Sequence, residues 1–207
     1  MGKFIVIEGI DRSGKSTLAK NIGLNLRNSG KSVHLTHEPT SFIDYGLNII
    51  SKLKKDDYFI LLAMFIRDRI EHNKMIKKNL EEYDFVLCDR YSLSSLAYQG
   101  VFLMDQFENV EKFYPWIENV LSISHLKPDL TIFINYDGKA FRQGTGEKRE
   151  LEMFEENGYL QDVYDVYMEA IKRGIFFSPG AIIGGNGTKE DMLKDAMNEI
   201  AKNLNSD

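Results

Sequence analysis

Apolar residues follow two alternating spacings along the 207-residue chain. Short unbroken apolar runs at residues 4–8, 33–36, 85–89, 130–135 and 181–183 read as strands. Those at 4–8 and 85–89 do not alternate with polar positions, so both of their faces are expected to be buried. Between the strands the spacing is helical. Residues 15–27 carry Leu18, Ile22 and Leu26 at intervals of four and run out at Gly30. Helical spacing returns at 43–53, at 58–80 with Asp56 and Asp57 placed to cap it, and at 108–123 in spite of Pro115. It returns again at 151–173, interrupted early by Asn157 and Gly158, and at 188–204 with Thr188 as cap. Residues 90–100 form a polar and aromatic segment that leads into a helix. Strands alternating with helices call for crossover connections, a parallel sheet and ligands at the carboxyl ends of the strands. The expected fold is an α/β three-layer sandwich, about five parallel strands with helices on both faces. With no repeat, low-complexity tract or linker, residues 1–207 are expected to form one domain.

One stretch interrupts the apolar pattern with glycines. Gly9-Ile10-Asp11-Arg12-Ser13-Gly14-Lys15-Ser16-Thr17 follows the first strand and opens the first helix, and it matches the phosphate-binding loop, two glycines four residues apart followed by Lys and Ser. The glycines allow a tight turn that aims backbone N–H groups at an anion. Lys15 reaches the β and γ phosphates, Ser16 offers its hydroxyl to Mg²⁺, and the helix presents its positive end. Strand, loop and helix in that order are the context this chemistry needs.

Composition then narrows the ligand. A net charge of −5 argues against a broad polyanion-binding surface, so a nucleic acid polymer is not the expected partner and small anionic ligands are. One cysteine, Cys88, rules out an internal disulfide and a multi-cysteine metal site, and it is most simply a small core residue. With no signal peptide and no run of about 18 apolar residues, no membrane association is expected and a cytoplasmic location is.

Several further residues could do chemistry. Asp89-Arg90-Tyr91 ends the third strand, where Asp89 can hold Mg²⁺ through water or accept from the attacking group and Arg90 can bridge donor and acceptor phosphates. A helix cap with a surface arginine is the plainer reading. Phe65 and Arg69, one helical turn apart, suit a nucleobase that stacks on one and is hydrogen-bonded by the other, and the same spacing describes a core aromatic and a surface arginine. Tyr98 and Gln99 could contact a sugar or base, or close a helix. Arg142, Lys148 and Arg149 around Gly144 and Gly146 have the composition of a lid over phosphates, or of a solvated basic loop. His34, His37, His72 and His125 show neither metal-ligand spacing nor a nucleophile arrangement and read as structural.

Taken together, residues 4–17, Phe65 with Arg69, Asp89-Arg90-Tyr91, Ala97-Tyr98-Gln99-Gly100 and Lys127-Pro128-Asp129-Leu130 closely resemble thymidylate kinase, from about residue 3 to 170. That resemblance implies the P-loop NTPase fold, a lid near 142–155, a homodimer, and transfer of the γ-phosphoryl group of Mg-ATP to dTMP. It implies that Gly9, Asp11, Arg12, Ser13, Gly14, Lys15, Ser16 and Thr17 form the ATP site, that Ser16 and Asp89 serve the metal, and that Arg12, Lys15, Asp89 and Arg90 are the catalytic residues. Asp11 would bind the 3′-hydroxyl of dTMP, Arg12 the transferring phosphoryl group, and Arg90 the acceptor phosphate. Phe65 would stack on thymine, Arg69 would donate to its carbonyl oxygen, and Ser95 and Gln99 would lie near the base. Tyr98 would crowd the 2′ position, and Arg142 would pack on adenine.

There are also departures. The segment 37–41 lacks the arginine that relatives place on the dTMP phosphate, so either Arg90 and Arg67 cover that phosphate or the acceptor binds less tightly. Met153 stands where bacterial relatives often have arginine, which agrees with Arg12 supplying the charge. Alternatives are a kinase for another nucleotide or nucleoside, and a P-loop switch without an acceptor pocket.

Overall fold

The computed structural model describes residues 1–40, 57–136 and 158–204. Five parallel strands, β1 (Lys3–Glu8), β2 (Val33–His37), β3 (Phe85–Asp89), β4 (Leu130–Asn135) and β5 (Gly180–Gly184), form one sheet in the order β2-β3-β1-β4-β5. β1 is central. Its register sets Val6 opposite Cys88 on one side and Thr131 on the other, and Ile7 opposite Asp89 and Ile132. The strand order therefore reverses around β1, and ligands of such sheets bind beyond the strand ends at the point of reversal.

Both faces of β1 are covered, which is why its sequence shows no alternation. On one face Ile5 and Ile7 pack with Leu18, Ile22 and Leu26 of α1 (Lys15–Asn28) and with Ala196 and Ile200 of α6 (Lys189–Leu204). On the other, Phe4 and Val6 pack with Ile76 and Leu80 of α2 (Tyr58–Glu82). The same face continues through Leu96 of α3 (Ser92–Leu103), Phe113 and Ile117 of α4 (Val110–Ser122), and Val163 and Tyr167 of α5 (Tyr159–Lys172). Each fully buried Leu, Ile or Phe of these layers contributes roughly 1.5–3 kcal/mol of burial. The expected three layers and five strands are present. No helix among the described residues is long and apolar enough to cross a membrane.

Helix ends differ in detail from the sequence reading. Residues 90–100 do not merely lead into a helix: α3 begins at Ser92, because a distant carboxylate, that of Glu8, receives the first N–H groups. Asp57 precedes α2 without a side-chain cap hydrogen bond, since its own backbone (φ −86°, ψ −6°) is already helical and a capping side chain needs an extended one. Asn109 caps α4 instead, accepting from the Lys112 N–H at 3.1 Å, and Pro115 is accommodated inside that helix. The expected helix at 43–53, Asp56, and residues 151–157 of the expected long helix lie outside the described residues; α5 starts directly after Gly158.

Thr188 caps α6 reciprocally: its Oγ1 accepts from the Asp191 N–H at 3.1 Å while Asp191 Oδ2 accepts from the Thr188 N–H, also at 3.1 Å. Thr188→Ala should lower stability by about 1 kcal/mol, seen as a shifted urea midpoint at constant slope. An unmoved midpoint would mean that packing through Ala196 and Ile200 holds this helix end unaided.

Candidate active site

The phosphate loop starts where β1 ends. Gly9 (φ +149°) and Gly14 (φ +92°) occupy backbone regions that side chains rarely adopt, and a Cβ on Gly9 would stand 2.9 Å from Ser13 Oγ and 3.2 Å from the Ile134 carbonyl oxygen. Arg12 takes φ +66° without being glycine. Gly14 is the N-cap of α1, so Lys15, Ser16 and Thr17 form the first turn, whose N–H groups have no intrahelical partner and whose dipole favours an anion. Ser16 and Thr17 are exposed, whereas Lys15 is buried and donates from Nζ to the Ile10 carbonyl oxygen at 2.6 Å. Burial pushes the Lys15 ammonium down to about 8; Arg90 adds to this, and Asp11, Asp89 and Glu8 oppose it.

The end of β3 closes one side of the loop. The Ser16 hydroxyl donates to Asp89 Oδ2, while Asp89 Oδ1 is buried with no hydrogen-bond partner among the described residues. Arg90 (φ +70°) turns away from the strand. Its Nη2 donates to Asp11 Oδ1, and its guanidinium carbon lies 4.9 Å from the centre of the Tyr98 ring. Burial works against this cation, but Tyr98 and Asp11 more than offset it and hold Arg90 more firmly charged than an ordinary arginine. Tyr98, on α3, accepts from the Asp11 N–H at 2.8 Å, and burial pushes its phenol up. The plain reading of Arg90 as a surface arginine is thus overturned. Asp11, Arg90 and Tyr98 form one cluster joining the loop to α3.

A second polar group lies along α2. Arg69 is fully buried, although its spacing alone allowed a surface position. It donates from Nε to Glu38 Oε2 at 2.8 Å and from Nη2 to Ser95 Oγ at 2.6 Å, and its Nη2 also lies 2.7 Å from Glu38 Oε2. Its Nη1 has no partner among the described residues. Burial by itself disfavours the charge, and Glu38 reverses the balance. Phe65 sits one turn before Arg69, half-buried, and Arg67 is exposed. Gln99 is buried with its Oε1 unpartnered among the described residues. Arg142 and the lid expected at 142–155 lie outside the described residues.

Sequence reasoning missed Glu8 and Glu38. Glu8 has no solvent exposure; its carboxylate accepts from the Tyr91 and Ser94 N–H groups at 2.9 and 3.1 Å, from Ser94 Oγ at 2.5 Å and from Tyr167 Oη at 3.1 Å. Burial raises its pKa, with Ser94 and Arg90 opposing. The available signal was an acid ending an unbroken apolar strand. Glu38 follows β2 directly, in the segment that lacks the expected arginine: the loop there delivers an anion to Arg69, while Thr40 N–H donates to Asp68 Oδ2 at 2.9 Å and fastens the loop to α2.

A glycine loop aimed at an anion from the end of a central parallel strand, faced by the Arg90 cluster, defines a P-loop phosphotransferase of the nucleotide kinase class. The thymidylate kinase family model matches residues 7–178, and the chain belongs to that family. Its activity is the family's, ATP-dependent phosphorylation of dTMP. A probable thymidylate kinase of Thermoplasma acidophilum is 31% identical over 203 residues, 97% of each chain, and one of Picrophilus torridus is 35% identical over 98% of this chain and 95% of its own. Among solved structures, a thymidylate kinase of Ehrlichia chaffeensis superposes with a TM-score of 0.67 at 25% identity, covering 96% of this chain and 98% of its own. That of Candida albicans reaches 0.73 at 23% identity over 100% and 94%, a likeness of fold.

The position of Lys15 gives a pH dependence. Its proton leaves the folded protein near pH 8, against an ordinary value of 10.5, so between those values the unfolded chain holds more protons and the contribution of Lys15 to stability rises with pH. A bound polyphosphate restores the charge, so ATP binding above pH 8 should take up a proton and weaken by up to about tenfold per unit. Calorimetry in buffers of different ionisation enthalpy counts that proton. Binding at pH 9 without uptake would show that Lys15 is charged in the free protein.

Proposed function

We propose that the residues around the phosphate loop divide the reaction into a donor side and an acceptor side, and that the Asp11–Arg90–Tyr98 cluster is where the two meet. The observation that carries this reading is the single cluster in which a phosphate-loop acid, the arginine after β3 and a tyrosine of α3 meet. On the donor side the loop N–H groups of residues 9–17 bind the ATP phosphates and Lys15 leaves the Ile10 carbonyl to reach the β and γ phosphates. Arg142 packs on adenine. On the acceptor side Phe65 stacks on thymine, Arg69 donates from Nη1 to a carbonyl oxygen of the base, and Ser95 and Gln99 complete that wall. Asp11 binds the 3′-hydroxyl and Tyr98 fills the space that a 2′-hydroxyl would need. Arg90 exchanges its Asp11 partner for the phosphate of dTMP.

The transfer is in line, from the γ phosphorus of ATP to an oxygen of the dTMP phosphate: the new P–O bond forms as the bond to ADP breaks. The acceptor phosphate is already nucleophilic, so the protein supplies position and charge rather than a strong base. Arg12 faces the transferring group and Arg90 the acceptor. The unpartnered Asp89 Oδ1 beside the Ser16 hydroxyl supports a Mg²⁺ site, because the ion favours oxygen donors and keeps part of its shell for phosphate and water. When bound, Mg²⁺ neutralises charge developing on the β and γ oxygens. We read residues 1–207 as one kinase domain with its lid near 142–155, working in the cytoplasm as a homodimer. Exposed Phe59 and Ile70, three turns apart on one face of α2, support pairing, and the free buried Cys88 suits a reducing compartment.

A coupled ADP-release assay with Mg-ATP and a panel of dTMP, dUMP, dCMP, dGMP, CMP and thymidine tests the acceptor side. Turnover should favour dTMP, and Phe65→Ala should raise KM for dTMP by about tenfold or more, as loss of one base stack does. A panel response that Phe65→Ala leaves untouched would remove the base site from this position. Arg12→Ala should lower kcat by about 10² with little change in KM, as expected of a cation that acts in the transition state. A change confined to KM would make Arg12 a ground-state binding residue.

A further inference from the structure

Arg69 carries five N–H donors on a planar fork. Two make hydrogen bonds within the protein, Nε–H to Glu38 and one N–H of Nη2 to Ser95, and Nη2 is also held in an ion pair with Glu38. The remaining pair, on Nη1, is buried and unmet among the described residues, which costs free energy unless a ligand acceptor arrives. Which donors stay unspent depends on how the fork is rotated, and the rotation is set by Glu38. That carboxylate is itself held from its other side. Glu38 Oε1 lies 3.1 Å from His72 Nδ1, and His72 Nε2 lies 2.7 Å from Thr36 Oγ1. Glu38, His72, Arg69 and Ser95 are all nearly inaccessible to water. A neutral imidazole satisfies the whole chain in one direction: Thr36 O–H to Nε2, Nδ1–H to Glu38, and Glu38 accepting from Arg69.

We propose that Thr36, His72 and Glu38 are positioning residues for base recognition, which fix the Arg69 guanidinium so that Nη1 alone is left to meet a carbonyl oxygen of the acceptor's base. The inference rests on the assignment of Arg69 to the base side and adds what makes that arginine selective. A donor-only group held in one orientation donates to the carbonyl oxygen of thymine or uracil and leaves the amino group of cytosine facing another donor. A guanidinium free to turn could swing its donors away from the amino group and onto the ring N3 of cytosine, an acceptor, and would lose that discrimination. The device spans three elements: Thr36 is on β2, Glu38 follows it, and His72 is three residues beyond Arg69 on α2.

The test compares His72→Leu, His72→Gln and Arg69→Lys, each confirmed as folded by circular dichroism and thermal melting. For His72→Leu, KM for dTMP should rise about tenfold and the dTMP-to-dCMP ratio of kcat/KM should fall by a similar factor, while KM for ATP and kcat at saturating dTMP change by less than about twofold. His72→Gln, whose amide can donate to Glu38 and accept from Thr36, should recover much of the loss. Thr36→Val, which removes only the hydroxyl, provides the same reading if the leucine variant does not fold. In the Arg69→Lys background the His72 substitution should add nothing further, because both act through one guanidinium. An Arg69→Lys effect with an unchanged His72→Leu would overturn the positioning chain and leave the base site standing. Silence in both variants would remove the base site as well. Equal rises in KM for ATP and dTMP would reduce the chain to a structural role.

Discussion

A carboxylate with no access to water sits at the junction of strand and phosphate loop, and much of the architecture is arranged to satisfy it. Glu8 is the last residue of the central strand. It draws its hydrogen bonds from the backbone at the start of α3, from Ser94 and from Tyr167 of α5, elements more than eighty residues away in the chain. A buried carboxyl group left without hydrogen-bond partners would be among the costliest features a fold can carry, so these partners must be in place together. In being satisfied, Glu8 fixes where α3 begins, and with it the positions of Ser95 and Tyr98, which reach the two polar groups of the candidate site. The geometry of both polar groups is thus set from underneath the phosphate loop.

The two arginines that matter most are handled in opposite ways. Arg90 is held by an exposed acid, Asp11, across the face of an aromatic ring, a pairing that a phosphate can displace. Arg69 is enclosed, and Glu38 holds it through a chain that reaches back to β2. On the proposed reading, one cation changes partner during a cycle and the other keeps it. The difference follows from solvent: in the first pair only the acid is open to water, so its partner can be exchanged, whereas in the second both groups are enclosed and breaking the pair leaves an uncompensated buried charge.

What the sequence displayed and what it concealed divide along the same line. The phosphate loop was legible because its chemistry is local: glycines at 9 and 14 are needed for backbone angles that the structure indeed shows, and a strand and a helix flank them. The strands at 4–8 and 85–89 were legible because burial on both faces removes the polar alternation. Arg69 was only half legible. Spacing put it on a helix face beside Phe65 but could not say that the chain leaving β2 would bring Glu38 onto it, 31 residues away. His72 passed for an ordinary core histidine for the same reason, since its partners Thr36 and Glu38 lie on another element. The start of α3 was blurred because its cap comes from residue 8. Local rules recover contacts made within a few residues; here the polar group around Arg69 is built almost wholly from contacts that are not.

Two residues of the site, Arg12 at φ +66° and Arg90 at φ +70°, hold a backbone conformation that costs a side-chain-bearing residue roughly 1–2 kcal/mol and costs glycine little. Backbone strain alone would therefore favour glycine at both positions, and at position 90 the contacts of the side chain with Asp11 and Tyr98 stand against it. A ranking of variants of this chain by melting temperature would weigh that backbone cost against side-chain contacts and be blind to anything the two cations do for turnover.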